Sequence, residues 1–125
     1  GAAIAVTKAF TQLEGKFDGV SMRVPVPAGS IADITFISSK STTVEEVNAA
    51  LVTAAKTDRW AGVFDASSEE LVSSDIQGSR FASVADLKMT RVVDGNLVKV
   101  LAWYDNEMGY THTLVRHVIK AGKLV

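Results

Sequence analysis

The chain of 125 residues has no cysteine and only two prolines and two histidines. Without cysteine it can form no disulfide, and it offers neither a thiolate metal ligand nor a cysteine nucleophile. His112 and His117 lie five positions apart, about 140° around a helix, so they are not expected to bind one metal ion. Each histidine is expected at the surface or partly buried rather than in a catalytic role.

The net charge is also close to zero. Thirteen Lys and Arg balance 14 Asp and Glu to a formal net charge of −1, and no basic block is present to bind nucleic acid or an anionic membrane. No apolar run approaches the ~20 residues that span a bilayer. No basic segment typical of a secretory signal opens the chain, so a cytoplasmic protein is expected. With 47% hydrophobic residues, residues 1–125 are predicted to form a single globular domain.

Apolar spacing of three and four predicts helices. The first is expected over residues 1–15, with Gly15 as its terminating glycine. It opens at residue 1 without a capping side chain, which suggests that the sequence is part of a longer chain. Thr43 and Glu46 form the capping box of a second helix, which should reach Ala55.

The last helix is predicted over residues 111–120, with Gly122 at its end. Its expected buried stripe consists of Leu114, Val115, Val118 and Ile119. Alternation and β-branched content predict strands over residues 17–26, 30–38, 63–64, 71–76, 81–87, 89–93 and 97–104. Asp94-Gly95 is a strong turn signal, so the two strands beside it should pair as an antiparallel hairpin.

The hairpin delivers the polar group Asp105-Asn106-Glu107 to the end of its second strand. Asp105 and Asn106 are both favoured helix caps, which is the simplest interpretation of this joint. The alternative is that the polar side chains contact a ligand where a strand ends. Arg23 has two interpretations as well: a solvated strand arginine, or an anion clamp that binds phosphate through its planar guanidinium.

The stretch from Trp103 to Tyr110, WYDNEMGY, resembles the WYDNExGY signature of glyceraldehyde-3-phosphate dehydrogenase. Residues 1–3 with residues 13–16, and residues 22–27, resemble two further segments of that family, TGAAKAV…ELxGK and RVPTP, in the same order. The chain departs from the family at Val26, where threonine is usual. The three motifs occur in order and at suitable spacing, and the resemblance covers essentially the whole chain, from Gly1 to about Lys120.

The resemblance implies the roles of particular residues. Arg23 and the backbone of Gly1 would bind the phosphate groups. Asn106 would hold the nicotinamide carboxamide of NAD, and Tyr110 would lie near the nicotinamide. The catalytic cysteine and its histidine would precede Gly1, as would the dinucleotide-binding domain, so no catalytic residue is assigned in this chain and the chain alone is expected to be inactive.

For the full-length protein, the resemblance implies oxidation of glyceraldehyde 3-phosphate with inorganic phosphate in glycolysis, by a cytoplasmic homotetramer. It also implies an α+β fold, with a largely antiparallel or mixed sheet and helices packed on one face. Two alternatives remain. One is a sister enzyme that uses erythrose 4-phosphate or prefers NADP, and the other is a non-catalytic oligomerisation or interaction module.

Overall fold

The computed structural model describes residues 2–124, and for Ala2 the backbone alone. The helices are α1 (Ala2–Ala9), α2 (Val44–Ala55), α3 (Ser73–Ile76) and α4 (Met108–Ala121), with a 3-10 turn over Thr11–Leu13. The strands are β1 (Ser30–Ile37), β2 (Phe64–Ser67), β3 (Ser83–Val93) and β4 (Leu97–Tyr104).

The strands form one sheet in the order β1-β4-β3-β2. β4 pairs antiparallel with both β1 and β3, whereas β2 pairs parallel with β3. Helix α2 packs against β2 and β3. The predicted α+β fold with a mixed, largely antiparallel sheet is therefore confirmed.

The central hairpin of β3 and β4 turns where the sequence predicts. Asp94 and Gly95 have φ values of 52° and 71°, and the Asn96 amide donates to the Val93 carbonyl at 3.3 Å. Two successive positive φ angles match the right-handed twist of the flanking strands. The two predicted strands before the turn are one strand, whose pairing with β4 shifts register between Asp86 and Arg91.

The core lies in this hairpin and beside it. The buried apolar side chains are Ile76, Val84, Ala85, Val98, Val100 and Ala102. Asp86 is buried among them and accepts hydrogen bonds from Trp103 Nε1 at 3.0 Å and from the Lys88 amide at 3.1 Å. A buried carboxylate requires such donors, because burial without them is costly.

Helix α2 begins at the predicted capping box. The Glu46 amide donates to Thr43 Oγ1 and the Thr43 amide donates to Glu46 Oε2, both at 3.2 Å. Each partner satisfies an amide that the first helical turn leaves unpaired. The predicted helix boundary is therefore confirmed.

The predicted strand over residues 17–26 is wrong. That segment has no regular secondary structure, and Val20 and Met22 are 86% and 84% exposed. Alternating side chains allow a strand but do not supply a neighbour, and no described strand pairs with this segment. Pro25 and Pro27 also lack the amide that a ladder needs.

Two further local predictions also fail. The first helix ends at Ala9 instead of Gly15, because Leu13 and Glu14 donate to carbonyls three positions back and tighten the chain into a 3-10 turn. Residues 71–76 contain the short helix α3 instead of a strand. There the Val72 amide donates to Asp75 Oδ2 at 2.8 Å, a local bond that competes with strand pairing.

The apolar stripe of α4 is exposed, contrary to prediction; Val118, for example, is 61% exposed. The helix approaches the rest of the domain at other points. A Cβ on Gly109 would lie 2.5 Å from the Phe81 carbonyl oxygen, and Arg116 donates to the Ala61 carbonyl at 2.9 Å. These polar and backbone contacts leave the apolar stripe uncovered.

Candidate functional site

The joint between β4 and α4 is organised by Asp105. Its Oδ1 accepts hydrogen bonds from the amides of Glu107 at 2.9 Å and Met108 at 2.7 Å, and its Oδ2 accepts from the Gly78 amide at 2.9 Å. The side chain thus caps the first turn of α4 and ties it to the loop after α3. Of the two candidate caps in the sequence, Asp105 is the one that caps.

The hydrogen bonds to Asp105 also set its charge. The amide of Met108, followed by those of Gly78 and Glu107, holds the pKa of the Asp105 carboxyl below its ordinary value, since each bond favours the ionised form. A negative charge at this position also suits the positive end of the α4 dipole. Asp105 therefore remains ionised and in place at neutral pH.

Asn106 does not cap α4, and its side chain bonds instead to Ser30 of the neighbouring strand β1. Its Oδ1 accepts a hydrogen bond from Ser30 Oγ at 2.8 Å. The antiparallel register explains the meeting, because Ser30 opens β1 opposite Tyr104, the last residue of β4. Asn106, two positions further on, is then within reach of the Ser30 hydroxyl.

A pocket of about 280 Å³ opens beside this hydrogen bond. Arg23 and Asn106, which are far apart in sequence, both line it. Its lining consists of Met22, Arg23, Val24, Val26, Pro27, Ala28, Gly29, Ser30, Asn106 and Glu107. A guanidinium, an amide, a hydroxyl and a carboxylate on one small surface can bind an anion and a polar uncharged group together.

Of the other predicted site residues, the structure places only Tyr110, and not at this pocket. Tyr110 lies in the first turn of α4, is 67% exposed and does not line the pocket. Gly1 lies outside the described residues. A second hollow of about 270 Å³ is lined by Gly78, Asp105, Glu107, Met108 and Thr111, so Glu107 borders both.

Within residues 2–124 no three His, Cys, Asp or Glu side chains converge as metal ligands. Over the same residues, no helix combines the length and the apolar character needed to cross a membrane.

Sequence reasoning does not find two features of the site: the contact made by Ser30, and the choice of Asp105 over Asn106 as the cap. Ser30 is predicted only as the start of a strand, and its partner lies 76 positions away, so no local pattern links the two. For Asp105, the preference of an aspartate for amides two and three positions ahead was a usable signal, but Asn106 shares that preference. The choice between them depends on Ser30 and Gly78, which are distant in the chain.

Comparison with known proteins adds the family. The family model described as "Glyceraldehyde 3-phosphate dehydrogenase, C-terminal domain" matches residues 1–106. The glyceraldehyde-3-phosphate dehydrogenase of Geobacillus stearothermophilus is 48% identical over 115 residues, which cover 92% of this chain and 34% of that protein. The one from Zymomonas mobilis is 44% identical over 115 residues, again 92% of this chain and 34% of the relative.

A third relative, glyceraldehyde-3-phosphate dehydrogenase 2 of Streptomyces avermitilis, is 44% identical over 122 residues, which cover 98% of this chain and 36% of that protein. The chain spans about a third of the length of the curated relatives that it matches. The match to the family model covers most of the chain, including Arg23, Ser30 and Asn106. The chain therefore belongs to the glyceraldehyde-3-phosphate dehydrogenase family.

Proposed function

We propose that this chain supplies the substrate-phosphate and nicotinamide contacts of an NAD-dependent, phosphorylating glyceraldehyde-3-phosphate dehydrogenase. The full-length protein oxidises glyceraldehyde 3-phosphate, with inorganic phosphate, to 1,3-bisphosphoglycerate in cytoplasmic glycolysis. The observation that carries the proposal is the shared pocket: Arg23 and Asn106, separated in sequence by most of the chain, line the same surface.

Arg23 is proposed to bind a phosphate group. Its guanidinium presents planar, paired N–H donors that match two phosphate oxygens at once. Ala28 and Gly29, which carry small side chains or none, line the same pocket. The Gly1 backbone is proposed as a second anion contact from the family resemblance.

Asn106 is proposed to hold the nicotinamide carboxamide. Its amide both donates and accepts, which is complementary to another amide, and its Oδ1 is already held by Ser30. The residues present fit the carboxamide, because Asn106 is available to bind it. The cap of α4 is supplied by Asp105 instead. NAD, when bound, supplies the hydride acceptor. Tyr110, exposed one turn into α4, is proposed to lie near the nicotinamide.

The chemistry also requires a nucleophile, and these 125 residues contain no cysteine. We propose that the thiolate, its histidine and most of the dinucleotide site come from other parts of the full-length protein. The chain alone then positions ligands without reacting with them. A purified sample of residues 1–125, given glyceraldehyde 3-phosphate, NAD and phosphate, is expected to produce no NADH above blank, and steady turnover contradicts the assignment.

The full-length protein is proposed to be a homotetramer. What supports an oligomer here is the uncovered apolar surface, which includes the α4 stripe and Ile37 of β1, at 76% exposure. An isolated chain that retains this surface should self-associate. Light scattering at increasing protein concentration measures this, and a monomer throughout argues against the proposal.

The two pocket roles are separated by variants of the full-length protein. Arg23→Leu should weaken the use of substrate or phosphate by about 2–3 kcal/mol, the scale of a hydrogen bond to a charged group, and should change NAD binding little. Asn106→Thr should do the opposite. Arg59→Leu, which removes an exposed arginine that stacks 5.1 Å from the Trp60 ring, is the control for lost charge.

The competing account treats Asn106 as structural only. On that account Asn106→Asp and Asn106→Ser, which both retain a side chain suited to a helix start, leave kinetics toward NAD unchanged. On the proposed account both raise the KM for NAD or lower the rate of hydride transfer. If both variants match the wild type, the cofactor assignment of Asn106 is wrong.

A further inference from the structure

The hydrogen bond between Ser30 and Asn106 has a direction. An asparagine side chain carries one acceptor oxygen and two N–H donors, and a serine hydroxyl can serve either end. Here the Ser30 hydroxyl donates to Asn106 Oδ1 at 2.8 Å. The Ser30 hydroxyl thus binds the oxygen end of the amide, and no group within the described residues 2–124 accepts a hydrogen bond from Nδ2.

The neighbouring residues leave Asn106 no structural task that would account for this bond. Asp105 accepts the amides of Glu107 and Met108 and caps α4. Ser30 is half-buried and Asn106 is exposed, so their hydrogen bond lies at the surface and does not satisfy a buried polar pair. An exposed side-chain pair of this kind adds little to stability, because each partner could bond to water instead.

Both partners line the pocket that also contains Arg23. We propose that Ser30 is a positioning residue: its hydroxyl fixes the Asn106 amide so that the NH₂ group, not the oxygen, is presented to a carbonyl acceptor of the bound ligand. This inference rests on the proposed function, in which the acceptor is the carboxamide oxygen of nicotinamide. Without the hydroxyl, the amide can rotate and present either end.

The backbone fixes the positions of Ser30 and Asn106 relative to each other. Ser30 is held opposite Tyr104 by the β1–β4 ladder, and Asp105 holds the chain immediately after it. Ser30 thus opens one strand of this ladder, and Asn106 follows two positions after the end of the other. If the ligand binds one orientation of the Asn106 amide, rotation of that amide weakens binding. Loss of the Ser30 hydroxyl should therefore lower ligand affinity more than it lowers the free energy of unfolding.

The test is NAD affinity, measured by equilibrium titration of the full-length protein without substrate, with melting temperature and the KM for phosphate recorded in parallel. Ser30→Ala should raise the Kd for NAD roughly three- to tenfold, the range for one lost hydrogen bond. The KM for phosphate and the melting temperature should stay close to wild type. Ser30→Thr, which keeps the hydroxyl, should restore most of the affinity.

Ser38→Ala is the matched control, because Ser38 follows the other end of β1 and its hydroxyl accepts the Lys40 amide at 3.3 Å, far from the pocket. Asn106→Ala completes a double-mutant cycle. If Ser30 acts through Asn106, adding Ser30→Ala to Asn106→Ala produces no further loss of affinity.

The possible failures are distinguishable. If Asn106→Ala weakens NAD binding but Ser30→Ala behaves like Ser38→Ala, the positioning role is overturned and the proposed function stands. If the two losses simply add, Ser30 does not act through Asn106 and the positioning role is overturned as well. If Asn106→Ala leaves the Kd for NAD at the wild-type value, both the cofactor assignment and this inference are wrong.

Discussion

The two sides of the pocket are built in different ways. One side, which we call the strand wall, consists of Ser30, Asn106 and Glu107. Ser30 opens the paired strand β1, and the other two residues lie between β4 and the capped helix α4. On the other side, which we call the loop wall, residues 22–29 have no regular structure and no strand partner within the described chain. Asn106 therefore stands on a rigid support, whereas Arg23 lies on a segment with few constraints of its own.

This difference suggests a division of roles. A group that must meet one edge of a planar ring requires fixed orientation, and sites on strands and helices are more precise than sites on loops. The guanidinium of Arg23 stands at the end of a long side chain, so its contact with phosphate tolerates more movement of the backbone that carries it. The loop wall ends at Gly29, whose φ of +85° strains any residue with a side chain. A Cβ there would also lie 3.3 Å from the Ser73 carbonyl oxygen.

The largest expected effect on stability comes from overpacking the helix that supports the strand wall. In Gly109→Ala, the new Cβ would lie 2.5 Å from the Phe81 carbonyl oxygen, so the backbone must shift. We expect a net loss of about 1–2 kcal/mol, since overpacking outweighs the gain in helix propensity. The urea midpoint of the full-length protein measures this loss.

Gly19→Ala is the matched control for Gly109→Ala in the segment that leads to the loop wall. A Cβ on Gly19 meets no atom within 4 Å, so its effect should stay within about 0.5 kcal/mol. Equal effects of the two substitutions would remove the contrast between the walls.

A smaller effect is expected from the charge of Asp105. Because amide donors lower its folded-state pKa, Asp105 contributes stability that is fully present above its unfolded value, 3.8, and is lost as pH falls through the folded value. Asp105→Asn should lower the melting temperature at pH 7 and should flatten the decline of stability below about pH 4. Thermal melts from pH 7 to pH 2 measure both.

Asp18→Asn is the control for removal of one negative charge. Within residues 2–124, the one bond to the Asp18 side chain comes from the adjacent Gly19 amide, at 2.7 Å, and Asp18 lies before the loop wall. The role given to Asp105 is contradicted if the two variants have the same pH profile as the wild type.

The smallest effect is expected from the ion pair of Lys99 with Asp33, whose Nζ–Oδ2 distance is 2.6 Å, on the β1–β4 pair that supports the strand wall. Lys99 donates a hydrogen bond to Asp33 and its charge lies nearby, which lowers the pKa of that carboxyl. Both side chains are exposed, so solvent screens the pair. Lys99→Met should raise the pKa of Asp33 toward its ordinary value, observed by NMR titration, with no measurable change in the urea midpoint. A clear loss of stability would show that this exposed pair, in addition to the ladder, supports the wall.

The contrast between the walls also explains which predictions from sequence succeeded. The hairpin turn at Asp94-Gly95 and the capping box of Thr43 and Glu46 depend on neighbours within a few positions, and both are confirmed. The predicted strand over residues 17–26 has suitable alternation but needed a partner strand, which no local pattern can supply. Turns and helix caps depend on residues that are near in sequence, whereas strand pairing depends on residues that are distant in sequence.

The site follows the same rule. The resemblance identified Arg23 and Asn106 as pocket residues of one protein, and the structure brings them to one surface. It did not indicate that the Gly78 amide binds Asp105 or that Ser30 holds Asn106, because those contacts join positions that are 27 and 76 apart. The exposed stripe of α4 was predicted as buried because helical periodicity identifies an apolar face but not what covers it.

The separation of 76 positions between Ser30 and Asn106 has a consequence for synthesis on the ribosome. At about 5–20 residues per second, β1 emerges roughly 4–15 s before the residues that complete the strand wall. The β3–β4 hairpin closes within about 10 μs of its own emergence, so β1 should join a sheet that already exists. Pulse-labelled hydrogen exchange on stalled nascent chains should show β1 unprotected until β4 is released, which leaves its eight residues open to chaperones or to other chains during that interval.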